Sequence, residues 1–393
     1  MRVCFRCLSD PELVTFAKNN GTEFECDFCD RVSKTKPSSI AFDALMKVVG
    51  DVVSQYYERA VDVMGWDGKE GGYFGTTYDS YDLVRDEFYS ISDNEQVIQA
   101  IIDSLSDVTW CDRNPYSTTG FKAYELSWEQ FCNAVKHQTR YFFGHRGTRD
   151  VHDSDLTPVS DMLAELASML EDQNLIETVG TMTGFFRVRA HNRSEKCDDW
   201  KSLGSPPRDR APNNRMSAAG ISMFYCSTNL ATAKAETLST MKDRNGFALT
   251  AAAWVSTRPL LMLNLCKIPP TPSFWFTERD HRDKIRFLRA FAESISQPVV
   301  HDGREHIDYV PTQILTEYFR HEYRIHDGKQ IDGIIYPSAR VPSGRNVVIF
   351  ASQDDLTPSA ERMFSDEVPV LRYDPASKKS LRIHLPRSTC DPV

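Results

Sequence analysis

Four cysteines in the first thirty residues constrain this chain more than any other feature. Cys4 and Cys7 form one Cys-x-x-Cys pair, Cys26 and Cys29 form another, and eighteen residues lie between the pairs. Two intervening residues let each pair wrap a short turn and aim both sulfurs at one metal ion, and the separation is that of four-thiolate zinc sites. Gly21 and Asp27 supply the polar, flexible surroundings that such turns use. Four thiolates fill a tetrahedron and leave no position for water, so the expected role is a structural zinc that staples the segment. Iron on the same ligands stays open. Cys111, Cys132, Cys197, Cys226, Cys266 and Cys390 show no pairing pattern and read as packing residues.

A length of 393 residues exceeds what one ordinary core organises, so two or three domains are expected. No run of about eighteen uncharged apolar residues occurs, which argues against a membrane-spanning helix. The chain moves from Met1-Arg2-Val3-Cys4 straight into the paired cysteines, without the apolar stretch of a secretory signal. A cytoplasmic location is the expectation, and in that compartment cysteines serve as ligands or buried thiols and not as disulfides. The net charge of -9 argues against broad attraction to nucleic acid, although a local basic patch is compatible with an acidic total.

Between 39 and 63, Ile40, Phe42, Leu45, Val48, Val49, Val52, Val53 and Tyr56 fall at helical spacings. Glycines at 65, 68, 71, 72 and 75 interrupt that period, and helical patterning resumes near Asp82 and from Glu95 to Leu105. Ser127 is a candidate N-cap for a further helix, with Glu129 in its first turn, and Thr157-Pro158 is a candidate opening for one that carries Met162, Leu163, Leu166, Met169 and Leu170. From about residue 183 the pattern changes. Gly184 to Ala190, Ile221 to Ser227, Phe247 to Leu265, Asp332 to Pro337 and Asn346 to Ala351 read as strands, with helices near Arg282 to Ser294 and Pro311 to His321. The fold class expected is α+β: a zinc-stapled helical domain followed by a mixed α/β domain.

The order of motifs in the second half carries a resemblance. Phe186-Arg187-Val188-Arg189 precedes Leu203-Gly204-Ser205-Pro206-Pro207, Asn214-Arg215-Met216-Ser217, Phe224-Tyr225-Cys226-Ser227 and Ala233-Lys234-Ala235-Glu236. Tyr309-Val310-Pro311-Thr312-Gln313 with Glu317, and Asp332-Gly333-Ile334-Ile335-Tyr336-Pro337-Ser338, follow. Over about residues 183 to 355 this chain resembles the Res family, named for an arginine, a glutamate and a serine. Many Res toxins carry Gly-Gly-Arg-Trp-Asn-Pro-Pro-Gly where this chain has Asn213 to Gly220, which keeps the arginine and the final glycine without the aromatic residue. The zinc pairs and helices of about residues 1 to 175 resemble the HEPN-associated domain that stands ahead of some Res domains. Domain boundaries expected on this basis are 1–38 for the zinc segment, 39–178 for the helical domain and 179–393 for the Res domain with a C-terminal extension.

The resemblance implies an enzyme that cleaves the nicotinamide–ribose bond of NAD, with a fold like that of ADP-ribosyltransferases. Phosphorolysis to nicotinamide and ADP-ribose-1''-phosphate is the expected reaction, with NAD as substrate and phosphate as co-substrate. NAD glycohydrolase or ADP-ribosyltransferase chemistry at the same site is the alternative. The site residues implied are Glu236, Arg215 and Ser338 for catalysis, with Arg187, Arg189 and Tyr225 joining them in binding NAD. That set suits the chemistry. Arginines bind a diphosphate through forked, charge-assisted hydrogen bonds, and a carboxylate such as Glu236 stabilises the positive charge that builds on ribose as nicotinamide leaves. Taken singly, each reads equally as ordinary structure: Arg187 or Arg189 as a charge on a strand, Tyr225 as a core aromatic, Glu236 as a helix-surface charge, Ser338 as a turn residue. Arg140 and His145 match the loose Arg-x4-His spacing of HEPN ribonucleases, so a ribonuclease with a nucleotide-sensing Res domain is the alternative of another class. Gly144 beside His145 also fits a plain helix end. Roles in toxin–antitoxin pairs or phage defence, an Xre-type antitoxin or control in cis by the N-terminal domain, and a homo-oligomer are further expectations of the resemblance.

Overall fold

The computed structural model describes residues 1–88, 90–105, 107–143, 155–241, 246–275, 278–297, 303–356 and 369–383. Its contacts divide the chain into two compact units that do not follow the sequence linearly. One comprises Met1–Leu126, His152–Leu156 and Pro270–Phe287, and the other Ser127–Val151, Thr157–Pro269 and Leu288–Val393.

In the first unit β1 (Arg2–Cys4) pairs antiparallel with β2 (Ser39–Ala41) and so closes the cysteine segment into a loop. The helix Pro11–Asn19 inside that loop starts where its sequence dictates: Asp10 accepts from the amides of Glu12 and Leu13, and Pro11 occupies the first turn, where no amide donor is needed. The apolar period read from 39 to 63 becomes a helix over Phe42–Tyr56, with Ser39–Ala41 drawn into β2 before it and a short helical turn, Ala60–Val63, near its end. Next comes β3 (Tyr57–Arg59). The glycine-rich stretch holds a small hairpin, β4 (Trp66–Asp67) with β5 (Gly72–Tyr73), turned at Gly71 with φ 72°. β6 (Trp110–Asp112) returns to pair with β3. The helix Glu95–Ser104, capped by Asn94, buries Val97, Ile98 and Ile101. Val3, Cys4, Cys7, Leu13, Leu45, Val49, Phe88 and Ile101 belong to one core, so the cysteine segment is built into the helical unit and does not stand beside it.

Two helix starts differ from the sequence expectation. The helix expected to open at Ser127 runs over Gly120–His137; Ser127 lies inside it, and its hydroxyl accepts from the amide of Thr157 at 3.0 Å. The helix expected at Thr157-Pro158 runs over Met162–Asp172, because Pro158 to Asp161 first closes a turn of its own, 2.9 Å from amide to carbonyl.

The second unit is built on an eight-stranded mixed sheet. In chain order its strands are β7 (Ile176–Val179), β8 (Gly184–Asn192), β9 (Phe224–Ser227), β10 (Phe247–Ser256), β11 (Leu260–Asn264), β12 (Gly333–Pro337), β13 (Arg345–Ile349) and β14 (Leu371–Leu381). Their spatial order is β14-β10-β8-β9-β13-β12-β11-β7, and among the described residues only the β11–β12 pair is parallel. The single run expected from Phe247 to Leu265 is two strands, broken where Pro259 removes a backbone donor. β7 and β14, which the sequence reading passed over, form the two edges, and a boundary at 178/179 would cut β7. One face of the sheet packs Phe185, Phe224, Trp254, Ile335, Val347 and Ile349 into the main core. The other face carries the helix Leu230–Thr240, whose Ala233 packs on Val188, Leu249 and Ala251. Among the described residues no helix is long and apolar enough to cross a membrane.

Candidate metal centre and active site

The four cysteine sulfurs of the first unit lie within 4.8 Å of one another. Cys4 Sγ stands 3.7 Å from Cys7 Sγ and 3.7 Å from Cys29 Sγ, and Cys7 Sγ is 3.8 Å from Cys26 Sγ. A tetrahedron of thiolates at a zinc–sulfur distance of about 2.3 Å has sulfur–sulfur edges of about 3.8 Å. The donor set therefore fits a zinc ion. The Cys4 amide directed at Cys26 Sγ (3.3 Å) and the Asn94 side-chain amide near Cys7 Sγ (3.7 Å) are the outer donors such a centre uses to hold its ligands. All four positions are filled by sulfur, so the centre could brace the fold but offers no site for chemistry.

The second unit concentrates its polar chemistry on the helix-bearing face of the sheet. Asn229 caps the helix Leu230–Thr240 directly after β9, its side chain accepting from the Thr232 amide at 2.8 Å, and two turns later the helix presents Glu236. Ser338 Oγ, just beyond β12, donates to Glu236 Oε1 at 2.6 Å, and Asn346 Nδ2, on β13, donates to the same oxygen at 2.8 Å. Ser338 has little freedom: its Oγ accepts from the amides of Arg340 and Val341, each at 3.1 Å, so its one hydrogen goes to the carboxylate. Asn346 is fixed in turn by Ser227 Oγ on β9, at 3.0 Å. Glu236 Oε2 has no hydrogen-bond partner among the described residues.

Tyr336 on β12 stands opposite Asn346, and burial pushes its hydroxyl well above the usual tyrosine range; Tyr225, Arg215 and Glu236 all bear on it electrostatically. Burial raises Tyr225 in the same way, and its hydroxyl is 2.8 Å from Ser217 Oγ. Arg215 donates to the carbonyl of Ile295, and its own carbonyl accepts from Thr312 Oγ1 at 2.5 Å. Arg215, Tyr225, Glu236 and Ser338 are thus gathered around Tyr336. A cleft of about 730 Å³ opens beside Ser338, with Arg289, Glu293, Ser296 and Arg345 in its walls.

Arg187 and Arg189 lie elsewhere. Val188 packs with Ala233 on the helix side of β8, and strand neighbours point to opposite faces, so the two arginines face the other side. There Arg187 sits over the Phe224 ring at 5.1 Å and donates to the carbonyl of Tyr225 at 2.8 Å, and burial lowers its pKa to about 10. Arg189 donates to the carbonyl of Ser202 and lies 3.7 Å from Glu195. Of the NAD-binding residues expected from the sequence, these two alone are away from Glu236, and the parity of β8 is the reason. Conversely, sequence reasoning passed over Asn346, Ser217 and Tyr336. A visible signal existed for Asn346: a polar residue directly before the apolar run Val347-Val348-Ile349, which is costly to bury unless it has a partner. Arg140 lies past the end of the helix Gly120–His137, and His145 falls outside the described residues.

The unit that carries this acidic, hydroxyl and amide cluster is matched by the RES domain profile over residues 185–373. The profile of HEPN/RES N-terminal domain 1 matches residues 19–149. The chain therefore carries a HEPN/RES N-terminal domain ahead of a RES domain, an architecture that points to a toxin-like, NAD-related enzyme family. Comparison with curated proteins and with solved structures gave no significant match.

Proposed function

We propose that this chain cleaves the bond between nicotinamide and ribose in NAD, with phosphate as acceptor. The C–N glycosidic bond breaks with its electron pair leaving on nicotinamide, and an oxygen of phosphate forms the new bond to the ribose carbon, giving ADP-ribose-1''-phosphate. The observation that supports this reading is Glu236: one oxygen is anchored by Ser338 and Asn346, and the other is free of protein partners among the described residues. A carboxylate held in that way can orient a ribose hydroxyl and stabilise the oxocarbenium-like charge without first reorganising. Arg215 spends one donor on Ile295 and keeps others for the diphosphate. Tyr225 offers a ring and a hydroxyl to the ligand. Water or a macromolecular nucleophile could capture the same oxocarbenium, so the identity of the product separates phosphorolysis from hydrolysis and ADP-ribosyl transfer.

On this reading Ser338 acts on Glu236 and not on phosphate, since its single hydrogen is already given to the carboxylate. Ser338→Ala is expected to slow NAD turnover by about tenfold, because one of the two groups that hold the carboxylate is lost while Asn346 remains. Nicotinamide release by wild-type and Ser338→Ala protein measures this. Wild-type protein that releases no nicotinamide would refute the proposal, and a Ser338→Ala variant as fast as wild type would remove the serine from it.

A further inference from the structure

We infer that Gln313 and Thr312 are positioning residues that set the loop carrying Arg215 and, through Ser217, the hydroxyl of Tyr225. The inference rests on the proposed NAD chemistry of that site. The loop from Asn213 to Ser217 closes on itself, with the Asn214 amide 2.9 Å from the Ser217 carbonyl and the Ser217 amide 3.3 Å from that of Asn214. This pair does not fix how the loop is aimed. Against it lies the helix Val310–Glu317, which presents Thr312, Gln313 and Thr316, all buried, on the side facing the loop.

Gln313 Nε2 reaches three oxygens of the loop: Asn213 Oδ1 at 2.8 Å, the Asn214 carbonyl at 2.7 Å and the Ser217 carbonyl at 3.3 Å. Two of these are backbone carbonyls, which only accept, so the orientation of the Gln313 amide is settled by its partners. Thr312 Oγ1 donates to the carbonyl of Arg215 itself at 2.5 Å, and Thr316 Oγ1 lies 3.3 Å from Met216 Sδ. Asn213, Asn214, Arg215 and Ser217 are therefore each held by a hydrogen bond from one helix, while the Thr316 hydroxyl, which donates to the Thr312 carbonyl at 2.7 Å, lies against Met216. Two side chains of the loop then act outward: the Arg215 guanidinium on the carbonyl of Ile295, and Ser217 Oγ on the Tyr225 hydroxyl at 2.8 Å. Rotating the Gln313 amide, or replacing it with a carboxylate, would set oxygen against oxygen at each contact and release the aim of both side chains. Neither Gln313 nor Thr312 contacts Glu236, so their loss should weaken the holding of NAD more than the bond-breaking step.

The test uses the full chain. In Gln313→Glu the KM for NAD is expected to rise on the order of tenfold while kcat changes by less than about threefold, since misplacing a binding group by a fraction of an ångström acts on alignment. Thr312→Val, which keeps shape and loses the donor, should shift KM in the same direction, and Thr312→Ser, which restores the hydroxyl, should bring it back to within about twofold of wild type. A folded Gln313→Glu protein with wild-type KM, or a Thr312→Ser variant no better than Thr312→Val, overturns the inference. If Gln313→Glu does not fold, the Thr312 pair decides. Hydrogen exchange at the amides of Asn214 and Ser217 supplies a readout without NAD: faster exchange in Gln313→Glu or Thr312→Val supports the clamp, and unchanged protection overturns it. Wild-type protein that leaves NAD intact while those amides respond counts against the NAD reading and not against the clamp.

Discussion

Glu236→Gln is expected to lower NAD turnover by on the order of a hundredfold or more, the usual cost of removing a well-placed electrostatic group from an active site. The change keeps the shape of the side chain and removes the charge that, on the proposed mechanism, meets the ribose as nicotinamide leaves. Ser338 and Asn346 both donate to Oε1, and an amide oxygen in the same place can still accept from them, so the surrounding turn and strand should hold. Binding of NAD should change much less than turnover. Arg215→Ala should behave in the opposite way, with affinity falling more than the rate of the bound complex, because it removes the group proposed to hold the diphosphate. Initial rates of nicotinamide release and calorimetric titration with NAD separate the two effects. A folded Glu236→Gln protein with near-normal turnover would take Glu236 out of the mechanism.

The second large effect concerns the cysteines. Chelation, or Cys26→Ser, is expected to collapse the order of the first thirty residues, since structural zinc sites in small peptides supply about 10–16 kcal/mol of apparent binding free energy. Cys4, Cys7 and Cys26 belong to the same core as Leu13, Leu45 and Val49, so the loss should spread into the helical unit. The eight-stranded sheet has its own core and should keep its fold. Metal content per chain and melting before and after chelation provide the measurement. Protein purified under reducing conditions without a stoichiometric metal ion would reject the four-thiolate centre.

The cysteine cluster was legible because spacing alone brings two short turns to one point, and the apolar periods of Phe42–Tyr56 and Glu95–Ser104 were legible because their buried faces repeat every three to four residues. Edge strands were not. Leu371–Leu381 is polar along much of its length, with Lys378, Lys379 and Ser380 together, and a strand with one free edge need not alternate cleanly. Glu236 and Ser338 are singled out by the order of motifs, yet that they touch was not legible: their contact spans 102 positions in sequence and depends on the pairing of β9, β13 and β12. The same dependence decides where the arginines stand. Phe186-Arg187-Val188-Arg189 reads as two cations available for a diphosphate, and only the packing of Val188 under Ala233 reveals that both turn away from Glu236. Helix starts at Ser127 and Thr157 failed because capping residues mark only where a helix can begin, and tertiary contacts such as the bond between Ser127 and Thr157 decide whether it does.

The most direct test of the account is to incubate the purified full chain with NAD, with and without phosphate, and to weigh the products. The proposed chemistry predicts nicotinamide together with ADP-ribose-1''-phosphate when phosphate is present, and far slower loss of NAD when it is absent. NAD recovered intact under both conditions would contradict the central claim; free ADP-ribose formed at the same rate in both would keep the cleaved bond and replace phosphate with water as the acceptor.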